Sequence, residues 1–164
     1  MENNFGAFEE KIFTVDDLNY LLSDISEAES ASYSADSNRL SRKLKGKVSP
    51  IFESVLAKLE NEKAFPESQE GRVGYLHELR DYLQNLPKIR FELAFKPSSE
   101  FIKKMAVFIR SNLGKTIVLD IEVKPAILAG VTIEYNGNYK DYSYSGKLEE
   151  LLKERYSKGL DANV

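Results

Sequence analysis

The sequence predicts an α+β protein in which an N-terminal helical bundle, residues 1–87, precedes a small α/β domain, residues 88–164. Before Pro87 the apolar residues recur every three or four positions, which is typical of amphipathic helices. After Pro87 they alternate with polar residues, which is typical of half-buried strands. Asn136-Gly137, which separates two such alternating stretches, is the dipeptide most typical of a tight β-hairpin.

The first predicted helix begins at Thr14, because Thr14 and Asp17 form a helix-capping pair. Four apolar residues at helical spacing then form one stripe: Val15, Leu18, Leu22 and Ile25. Residues 26–37 are small and polar, which indicates either a loop or a helix interrupted by serines.

Two further helices are predicted before the strands begin. Ser49 and Pro50 form a cap and a first-turn proline. The buried face of this helix is predicted to comprise Ile51, Val55, Leu56 and Leu59. Pro66 and Glu67 end the helix, and residues 68–86 predict the next one, with Val73, Leu76, Leu79 and Leu83 inward. Because such short helices are not stable alone, we expect them to pack as a bundle.

The second half begins with a predicted strand, helix and strand. Residues 88–95 place Ile89, Phe91, Leu93 and Phe95 on one strand face. The helix begins near Ser98 or Ser99 and ends at Gly114. Its apolar side is predicted to comprise Phe101, Met105, Phe108 and Ile109. Residues 116–123 form the second strand, with Ile117, Leu119, Ile121 and Val123 on one face. This order predicts a parallel pair of strands joined by a right-handed crossover.

The rest of the chain predicts a hairpin and a last helix. Residues 131–135 form a third strand, which the Asn136-Gly137 turn joins to a returning strand. A closing helix over residues 145–156 carries an apolar stripe of Leu148, Leu151 and Leu152.

The composition excludes several classes of chemistry. The chain has no cysteine, which excludes thiol catalysis, disulfides and cysteine-ligated metals, and its single histidine, His77, cannot form a multi-histidine metal site. No Gly-x-Ser-x-Gly motif supports a catalytic triad through His77, which lies mid-helix and is predicted to be structurally neutral. No apolar stretch approaches the length of a membrane span and the first residues are acidic, so we expect a cytoplasmic protein.

Gly114-Lys115-Thr116 is similar to the end of a nucleotide-binding P-loop. A P-loop, however, needs a glycine where this chain has Ile109, and it runs from strand to helix. Here a predicted helix precedes Gly114 and a strand follows it. Gly114 is therefore predicted to be the glycine just past a helix end.

Two alternative functions remain open at this stage. Residues 39–47 contain five basic residues in nine, and with the hairpin tyrosines they could bind nucleic acid: Tyr135, Tyr139, Tyr142 and Tyr144. Because acidic residues outnumber basic ones, 26 to 23, a solvated face or a docking surface for an acidic partner is the favoured interpretation of residues 39–47. A hydrolase using Asp120 and Glu122 has no motif in its support, and both residues are expected to face solvent.

A series of short motifs extends from Gly114 to the closing helix. The turn Gly114-Lys115 precedes a strand, and a proline, an apolar pair and a glycine follow it: Pro125, Ile127-Leu128 and Gly130. The hairpin ends in Asp141 and Ser143, and the closing helix carries Leu148. In these motifs and in its order of elements, the stretch 88–152 resembles the C-terminal region of the delta subunit of bacterial F-type ATP synthase, the equivalent of the mitochondrial oligomycin-sensitivity-conferring protein.

Each matched residue also has a structural interpretation. Pro125 ends a strand because it has no N–H to donate. Gly130 permits a backbone bend or the close approach of another strand. Asp141 and Ser143 can accept hydrogen bonds from free N–H groups at a helix start. None of these residues is expected to be catalytic.

The chain departs from the family pattern at several points. Lys124 stands where the family usually has an aspartate, and Ala129 stands where it has a glycine. The helical half is shorter than the family's helical bundle and lacks its opening Tyr-Ala-x-Ala-Leu motif.

The resemblance implies a non-catalytic stator subunit of the ATP synthase, without cofactor, metal or small-molecule substrate. In the family, the helical bundle binds the catalytic head through the alpha subunits, alongside the beta subunits, and the C-terminal domain meets the b subunits of the peripheral stalk. This implies a peripheral position on the cytoplasmic face of the bacterial cell membrane. The candidate contacts are Leu18, Leu22 and Ile25 or Val73 and Leu76 for the head, and the closing helix with Leu151 for the stalk. These apolar stripes are also the expected core.

Overall fold

A computed structural model describes residues 5–33, 39–144, 148 and 153 of the chain. Its helices are α1 (Gly6–Glu9), α2 (Val15–Ser32), α3 (Leu40–Lys43), α4 (Pro50–Asn61), α5 (Gln69–Gln84) and α6 (Ser99–Leu113). Its strands are β1 (Lys88–Leu93), β2 (Val118–Val123), β3 (Val131–Tyr135) and β4 (Asn138–Asp141), and a 3-10 turn spans Pro125–Ile127. The predicted α+β class is confirmed. The closing helix lies outside the described residues, apart from Leu148 and Lys153.

Helix α2 begins where the sequence predicts. The Thr14 side chain accepts a hydrogen bond from the Asp17 N–H, and the Asp17 carboxylate accepts one from the Thr14 N–H at 2.9 Å, which completes a capping box. The serine-rich stretch does not interrupt the helix before Ser32. The Ser26 and Ser30 hydroxyls donate to carbonyls one turn earlier, so they are compatible with a continuous helix.

Helices α2 and α5 pack against each other at the centre of the bundle. Its core contains most of the predicted apolar positions, including Leu18, Ile25, Leu56, Leu59, Leu76, Leu79 and Leu83. The predicted burial of Ile51 is wrong, because Ile51 is 53% exposed and Phe52 occupies the core instead. Phe52, the third residue of α4, faces Phe8 at 5.4 Å between ring centroids, so this turn of the helix buries position 52 rather than position 51.

Two carboxylates hold the connections between helices. Asp24 on α2 accepts hydrogen bonds from the N–H and the hydroxyl of Ser49, the cap of α4, at 3.1 and 2.5 Å. Glu60 on α4 accepts from the N–H groups of Leu40 and Ser41 at 2.8 and 3.3 Å, and from the Ser41 hydroxyl at 2.5 Å. Each carboxylate therefore satisfies backbone donors at the start of another helix.

The four strands form one mixed sheet in the order β2-β1-β3-β4. The predicted parallel pairing of β1 with β2 is confirmed, and β3 pairs with β1 and with β4 in antiparallel directions. Asn136 and Gly137 have φ values of 49° and 74° in the hairpin turn, the left-handed conformations that this dipeptide favours. Helix α6 connects β1 to β2 and packs on the sheet through Ile102, Met105, Ala106 and Ile109.

Three predicted burials at this sheet are wrong. Strand β1 ends at Leu93, so Phe95 lies in the following loop and is exposed. On α6, Phe101 and Phe108 lie beside the buried face rather than on it, and Phe108 is 68% exposed. Ala106, which has a small side chain, is the residue of α6 that is fully buried.

The segment before α2 joins the bundle to the sheet. Ile12 packs in the bundle core, whereas the next residue, Phe13, packs against the core of the sheet. The Phe13 carbonyl accepts a hydrogen bond from the Leu119 N–H at 2.9 Å, and the Arg110 guanidinium donates to the Ile12 carbonyl while lying 5.3 Å from the Phe13 ring. Burial among these groups lowers the pKa of Arg110.

Candidate partner-docking surfaces

His77 lies on the exposed side of α5. Its Nδ1 atom is 3.3 Å from the Asp81 carboxylate one helical turn later, and both side chains are more than half exposed. This is the geometry of a surface pair, which contributes little to stability. In residues 5–33, 39–144, 148 and 153, no three histidine, aspartate or glutamate side chains come together in a way that could hold a metal ion.

Gly114 ends α6 in the left-handed conformation, with φ 64°, as predicted. Its N–H donates to the Arg110 carbonyl at 2.9 Å, and β2 follows four residues later. The free N–H groups of a helix start, which a phosphate needs, are therefore not at this glycine. The Lys115 ammonium instead lies 5.6 Å from the Tyr135 ring.

The face of the sheet opposite α6 carries a network of ion pairs. Arg90 contacts Glu122 at 2.5 Å, and Lys124 contacts Glu92. The hydrogen bond from Lys124, together with one from Thr132, lowers the pKa of Glu92, and the hydrogen bond to Glu122 raises the pKa of Arg90. The Glu92 carboxylate is therefore held ionised by the Lys124 ammonium, the opposite of what a general acid requires.

The same network accounts for Lys124, which stands where the family usually has an aspartate. Its ammonium also lies 3.8 Å from Glu122, and its hydrogen bond to Glu92 raises its pKa. Asp120 and Glu122, predicted to face solvent, are partly buried on this face.

The helical residues proposed as head contacts occupy different environments. Leu18, Ile25 and Leu76 are buried in the bundle core, because α2 and α5 turn these stripes toward each other. In this fold they stabilise the bundle and offer no free surface, which is the alternative interpretation given above. Leu22 and Val73 are partly exposed.

A shallow apolar groove lies nearby, at residues that the periodicity did not single out. Tyr20 is 73% exposed, and with Leu21 and Ile51 it lines a groove of about 170 Å³ between α2 and the start of α4. Lys11, Ile12, Asp17 and Ser49 complete the lining. In the sequence, this groove could have been indicated by Tyr20, a large apolar side chain outside the apolar stripe of α2.

The basic segment 39–47 contains both buried apolar residues and exposed basic residues. Leu40 and Leu44 are fully buried, and Arg39 donates to the Asn61 side chain at 2.6 Å. Arg42, Lys45 and Lys47 are exposed.

Helix α6 presents a second apolar surface. Phe101 and Phe108 stand seven residues apart on one flank of the helix, next to the partly buried Met105. Lys104 pairs with Glu100 at 2.7 Å beside these rings. Residues three, four and seven apart on one side of a helix are the spacing by which helices dock onto one another.

The family-motif residues Pro125 and Gly130 lie in the connection between β2 and β3, and Asp141 ends β4. Strand β2 ends at Val123, and Pro125 begins the 3-10 turn. Gly130 has φ 99°, and a β-carbon placed on it would lie 2.4 Å from the Tyr142 carbonyl oxygen. Both the backbone conformation and the close approach therefore require glycine at this position.

Asp141 and Ser143 form a compact turn after β4. The Asp141 carboxylate accepts from the Ser143 N–H at 2.7 Å, and its hydrogen bonds to Ser143 lower its pKa. The Tyr144 N–H donates to the Ala129 carbonyl at 2.9 Å, which ties this turn to the loop of Gly130. The Leu148 N–H donates to the Tyr144 carbonyl at 2.9 Å, and Leu148 is exposed.

The hairpin tyrosines do not share one surface. Tyr135 is partly buried against the sheet core, and its hydroxyl has no hydrogen-bond partner among the described residues. Tyr139, Tyr142 and Tyr144 are exposed. The strand pairing places Tyr139 opposite Glu134, so an acidic side chain lies beside this ring.

Comparison with known proteins finds relatives that are ATP synthase delta subunits. The chain is 31% identical to the ATP synthase subunit delta of Dichelobacter nodosus (strain VCS1703A) over 93 residues, which cover 52% of this chain and 50% of that relative. It is 29% identical to the ATP synthase subunit delta of Thermosipho africanus (strain TCF52B) over 72 residues, which cover 44% of this chain and 39% of the relative. The match therefore spans about half the length of these relatives, or less.

A solved structure is also similar to the chain. It is the cryo-EM structure of the Toxoplasma gondii mitochondrial ATP synthase hexamer, with 17% identity, coverage of 86% of this chain and 84% of that chain, and a TM-score of 0.34. These comparisons do not support the nucleic-acid-binding alternative. The sequence profile described as the ATP synthase delta (OSCP) subunit matches residues 1–154, and the chain therefore belongs to the ATP synthase delta (OSCP) subunit family.

Proposed function

We propose that this chain is a non-catalytic peripheral-stalk subunit of an F-type ATP synthase. The observation that carries the proposal is the extent of the family match, which runs from residue 1 to residue 154 and so includes the helical half. The shorter bundle and its missing opening motif therefore do not separate this half from the family. A stalk subunit needs no reaction chemistry, which agrees with carboxylates held as ion pairs and a single exposed histidine.

The proposed role is mechanical. Rotation of the central stalk loads the catalytic head with torque, and the head turns with the rotor unless it is tied to the membrane-fixed stalk. A subunit that binds the head on one side and the stalk on the other keeps the head stationary, so that rotation drives ATP synthesis.

The proposal assigns one contact to each part of the chain. We divide the chain into a helical domain, residues 1–87, and an α/β domain, residues 88–164. Two separate clusters of buried residues support this division, one formed mainly by the helices and one by the sheet with α6.

The head contact, with the alpha and beta subunits, is assigned to the helical domain. Tyr20 and Ile51 offer exposed apolar surface around a groove, and Leu22 and Val73 add partly exposed apolar atoms. An exposed apolar groove is the surface into which an amphipathic helix docks. Leu18, Ile25 and Leu76 are buried in the core of the same bundle and stabilise it.

The stalk contact, with the b subunits, is assigned to the α/β domain. The exposed rings of Phe101 and Phe108 on α6 supply apolar anchors at helical spacing. The closing helix, residues 145–156 with Leu151, is proposed as the second part of this contact, and it lies outside the described residues. Its mixed charges suit charged stalk helices.

The proposed location is the cytoplasmic face of a bacterial cell membrane, where the protein would be a peripheral part of the complex. The helices described in the structure include none that is long and apolar enough to cross a membrane. Contact with the membrane would therefore be made through the stalk subunits.

Co-purification of the tagged 164-residue chain from membranes of its native cell tests the proposal. Three variants refine it: Ile51→Glu in the groove, Phe108→Glu on α6, and Gln69→Glu as a control that adds the same charge at an exposed position. We expect the unmodified chain and the control to recover alpha, beta and b subunits, identified by mass spectrometry. We expect Ile51→Glu to lose alpha and beta, and Phe108→Glu to lose b.

Recovery of none of these subunits, from cells whose ATP synthase is intact, would overturn the stalk assignment. Recovery of b without alpha would restrict the role to the stalk contact. Full recovery by both variants would leave the role standing and place the contacts elsewhere, with the closing helix as the next surface to change.

A further inference from the structure

Strand β2 lies at one edge of the sheet, and the direction of its backbone groups can be assigned. The Val118 N–H donates to the Pro87 carbonyl at 2.9 Å, and the Lys124 N–H donates to the Leu93 carbonyl at 2.8 Å, both toward β1. Because successive peptide groups of a strand point in opposite directions, the residues between them alternate. The N–H and carbonyl groups of Leu119, and of residues 121 and 123, therefore point outward.

The first of these outward positions is already used by a neighbouring segment of the chain. The Leu119 N–H donates to the Phe13 carbonyl at 2.9 Å, and Thr14 forms a parallel bridge with Leu119. At Val15 the chain turns into α2 and leaves the sheet. In the described part of the chain, nothing pairs with the outer edge at Ile121 and Val123.

This open edge lies in a groove rather than on a convex surface. The groove has a volume of about 410 Å³. Its floor is β2, from Leu119 to Val123, and its two walls come from α6 with the loop before it and from the start of α2. A segment that pairs with the edge would therefore be contacted on both sides as well as through its backbone.

The two walls differ in chemistry. Ile102 and the buried Pro97 form the wall on the α6 side of the sheet. On the other side lie Asp16 and Asp120, with Lys96 at the loop end of the groove. Because the side chains of a strand point alternately to the two faces, an added strand would place one set against apolar atoms and the other near the two carboxylates.

We propose that the outer edge of β2 accepts an extended segment of a partner protein as an additional strand. The segment would alternate apolar residues, facing Ile102, with lysine or arginine, facing Asp16 and Asp120. The short pairing of Phe13 and Thr14 with Leu119 is an example, within the chain, of backbone pairing at this edge. Addition of a strand to an exposed sheet edge is an established mode of peptide recognition. The proposal does not depend on the stalk role.

The test uses the full 164-residue chain, labelled with ¹⁵N, and two capped hexapeptides of alternating sequence, valine–lysine and valine–glutamate. We expect the valine–lysine peptide to shift the amide signals of Ile121 and Val123 and to slow their hydrogen exchange. We expect the valine–glutamate peptide to bind about threefold more weakly, the effect of exposed charges. Amides at these positions that are already protected in the free chain would overturn the proposal, because the edge would then be covered by the chain itself.

A matched pair of variants separates strand addition from other contacts. Val123→Pro removes an outward N–H while keeping the bonds to β1, and proline is tolerated at a sheet edge. Val123→Thr keeps both the N–H and a β-branched side chain. We expect about tenfold weaker peptide binding for Val123→Pro, the loss of one hydrogen bond, and unchanged binding for Val123→Thr. Equal binding by the two variants would overturn the proposal.

A third variant covers the case in which Val123→Pro does not fold. Asp120→Lys reverses the charge beside the groove without removing a backbone donor. We expect it to prefer the valine–glutamate peptide. An unchanged preference for valine–lysine would contradict the proposed direction of the basic side chains.

Discussion

Gly130 is the residue whose conformation most restricts its identity. Its φ of 99° and the 2.4 Å separation between an added β-carbon and the Tyr142 carbonyl oxygen mean that any side chain strains the backbone and collides with the returning strand. We expect Gly130→Ala to lower the free energy of unfolding by about 3 kcal/mol, as measured by urea denaturation.

Gly137→Ala is the matched control for that prediction. Gly137 has φ 74°, but an added β-carbon meets no atom within 4 Å. Gly137→Ala should therefore lower the free energy of unfolding by only about 1 kcal/mol, because alanine is strained in the left-handed conformation. Equal losses for the two variants would show that the close approach at Gly130 has no energetic effect.

Tyr75 is a buried residue with a pH-dependent effect. Burial raises its pKa to about 12, and its hydroxyl has no hydrogen-bond partner among the described residues. Because its folded pKa exceeds the ordinary value of 10.0, its contribution to stability is complete below pH 10 and is lost as the pH rises toward 12. We expect Tyr75→Phe to reduce the loss of stability between pH 10 and pH 12.

The same variant has a second readout at neutral pH. Removal of an unpartnered buried hydroxyl should raise the free energy of unfolding by up to about 1 kcal/mol. Tyr20→Phe, at an exposed position, should leave it unchanged at pH 7. A clear loss of stability in Tyr75→Phe would mean that the hydroxyl has a bonding partner.

Features that depend on adjacent residues could be predicted from the sequence. The capping box of Thr14 and Asp17, the turn at Asn136-Gly137 and the helix end at Gly114 each require only a few neighbouring residues to form. The exposure of Ile51 and Phe108 could not be predicted in this way. Whether these side chains are covered depends on the rotation of each helix against elements distant in sequence.

At the scale of single elements, Glu60 determines how α3 begins. Its carboxylate accepts hydrogen bonds from the N–H groups of Leu40 and Ser41 and from the Ser41 hydroxyl. We expect Glu60→Gln to lower the free energy of unfolding by about 1 kcal/mol, the usual effect of losing a helix cap, as measured by urea denaturation.

Glu62→Gln provides the comparison on the same helix end. The Glu62 side chain is exposed and its carboxylate lies 3.9 Å from the Lys58 ammonium, so its loss should change stability by less than about 0.5 kcal/mol. If the two variants behave alike, the α3 cap is not important for stability.

The burial of residues at the start of β2 does not follow from the alternation of apolar and polar residues alone. The prediction placed Ile117 and Leu119 on one buried face, yet Val118 between them is also fully buried. Val118 packs with the helical core, whereas Leu119 packs with the sheet core. The start of β2 is thus covered on both faces, by α6 immediately before it in the chain and by α2 about a hundred residues earlier.

At the scale of the whole molecule, Phe13 couples the bundle to the sheet. We expect Phe13→Ala to lower the free energy of unfolding by about 2 kcal/mol, because Phe13 is only partly buried. Hydrogen exchange should then show the sheet opening more independently of the bundle, since the Phe13 ring, one of the contacts that they share, is removed.

Phe101→Ala controls for the loss of an aromatic ring. Phe101 is exposed on α6, so its removal should leave stability within about 0.5 kcal/mol and the exchange pattern unchanged. Simultaneous opening of bundle and sheet in Phe13→Ala would show that other contacts are sufficient to couple them.

The candidate surfaces were less predictable than the fold. The family motif indicated Pro125, Gly130 and Asp141, and the structure places them where loops cross near β3 and β4. The groove beside Tyr20 and the open edge of β2 could not be seen in the sequence, because each is formed by elements that meet only in the folded chain.

The path of residues 12–14 has a consequence for how the molecule carries load. The bundle and the sheet are connected along the chain at Pro87, and a second time by the backbone of Phe13 and Thr14 lying on β2. A body attached through one flexible point swivels freely about it, whereas a body attached at two separate points can only rock about the line through them. A torque applied to one part is therefore transmitted to the other instead of being relieved by rotation about a single connection.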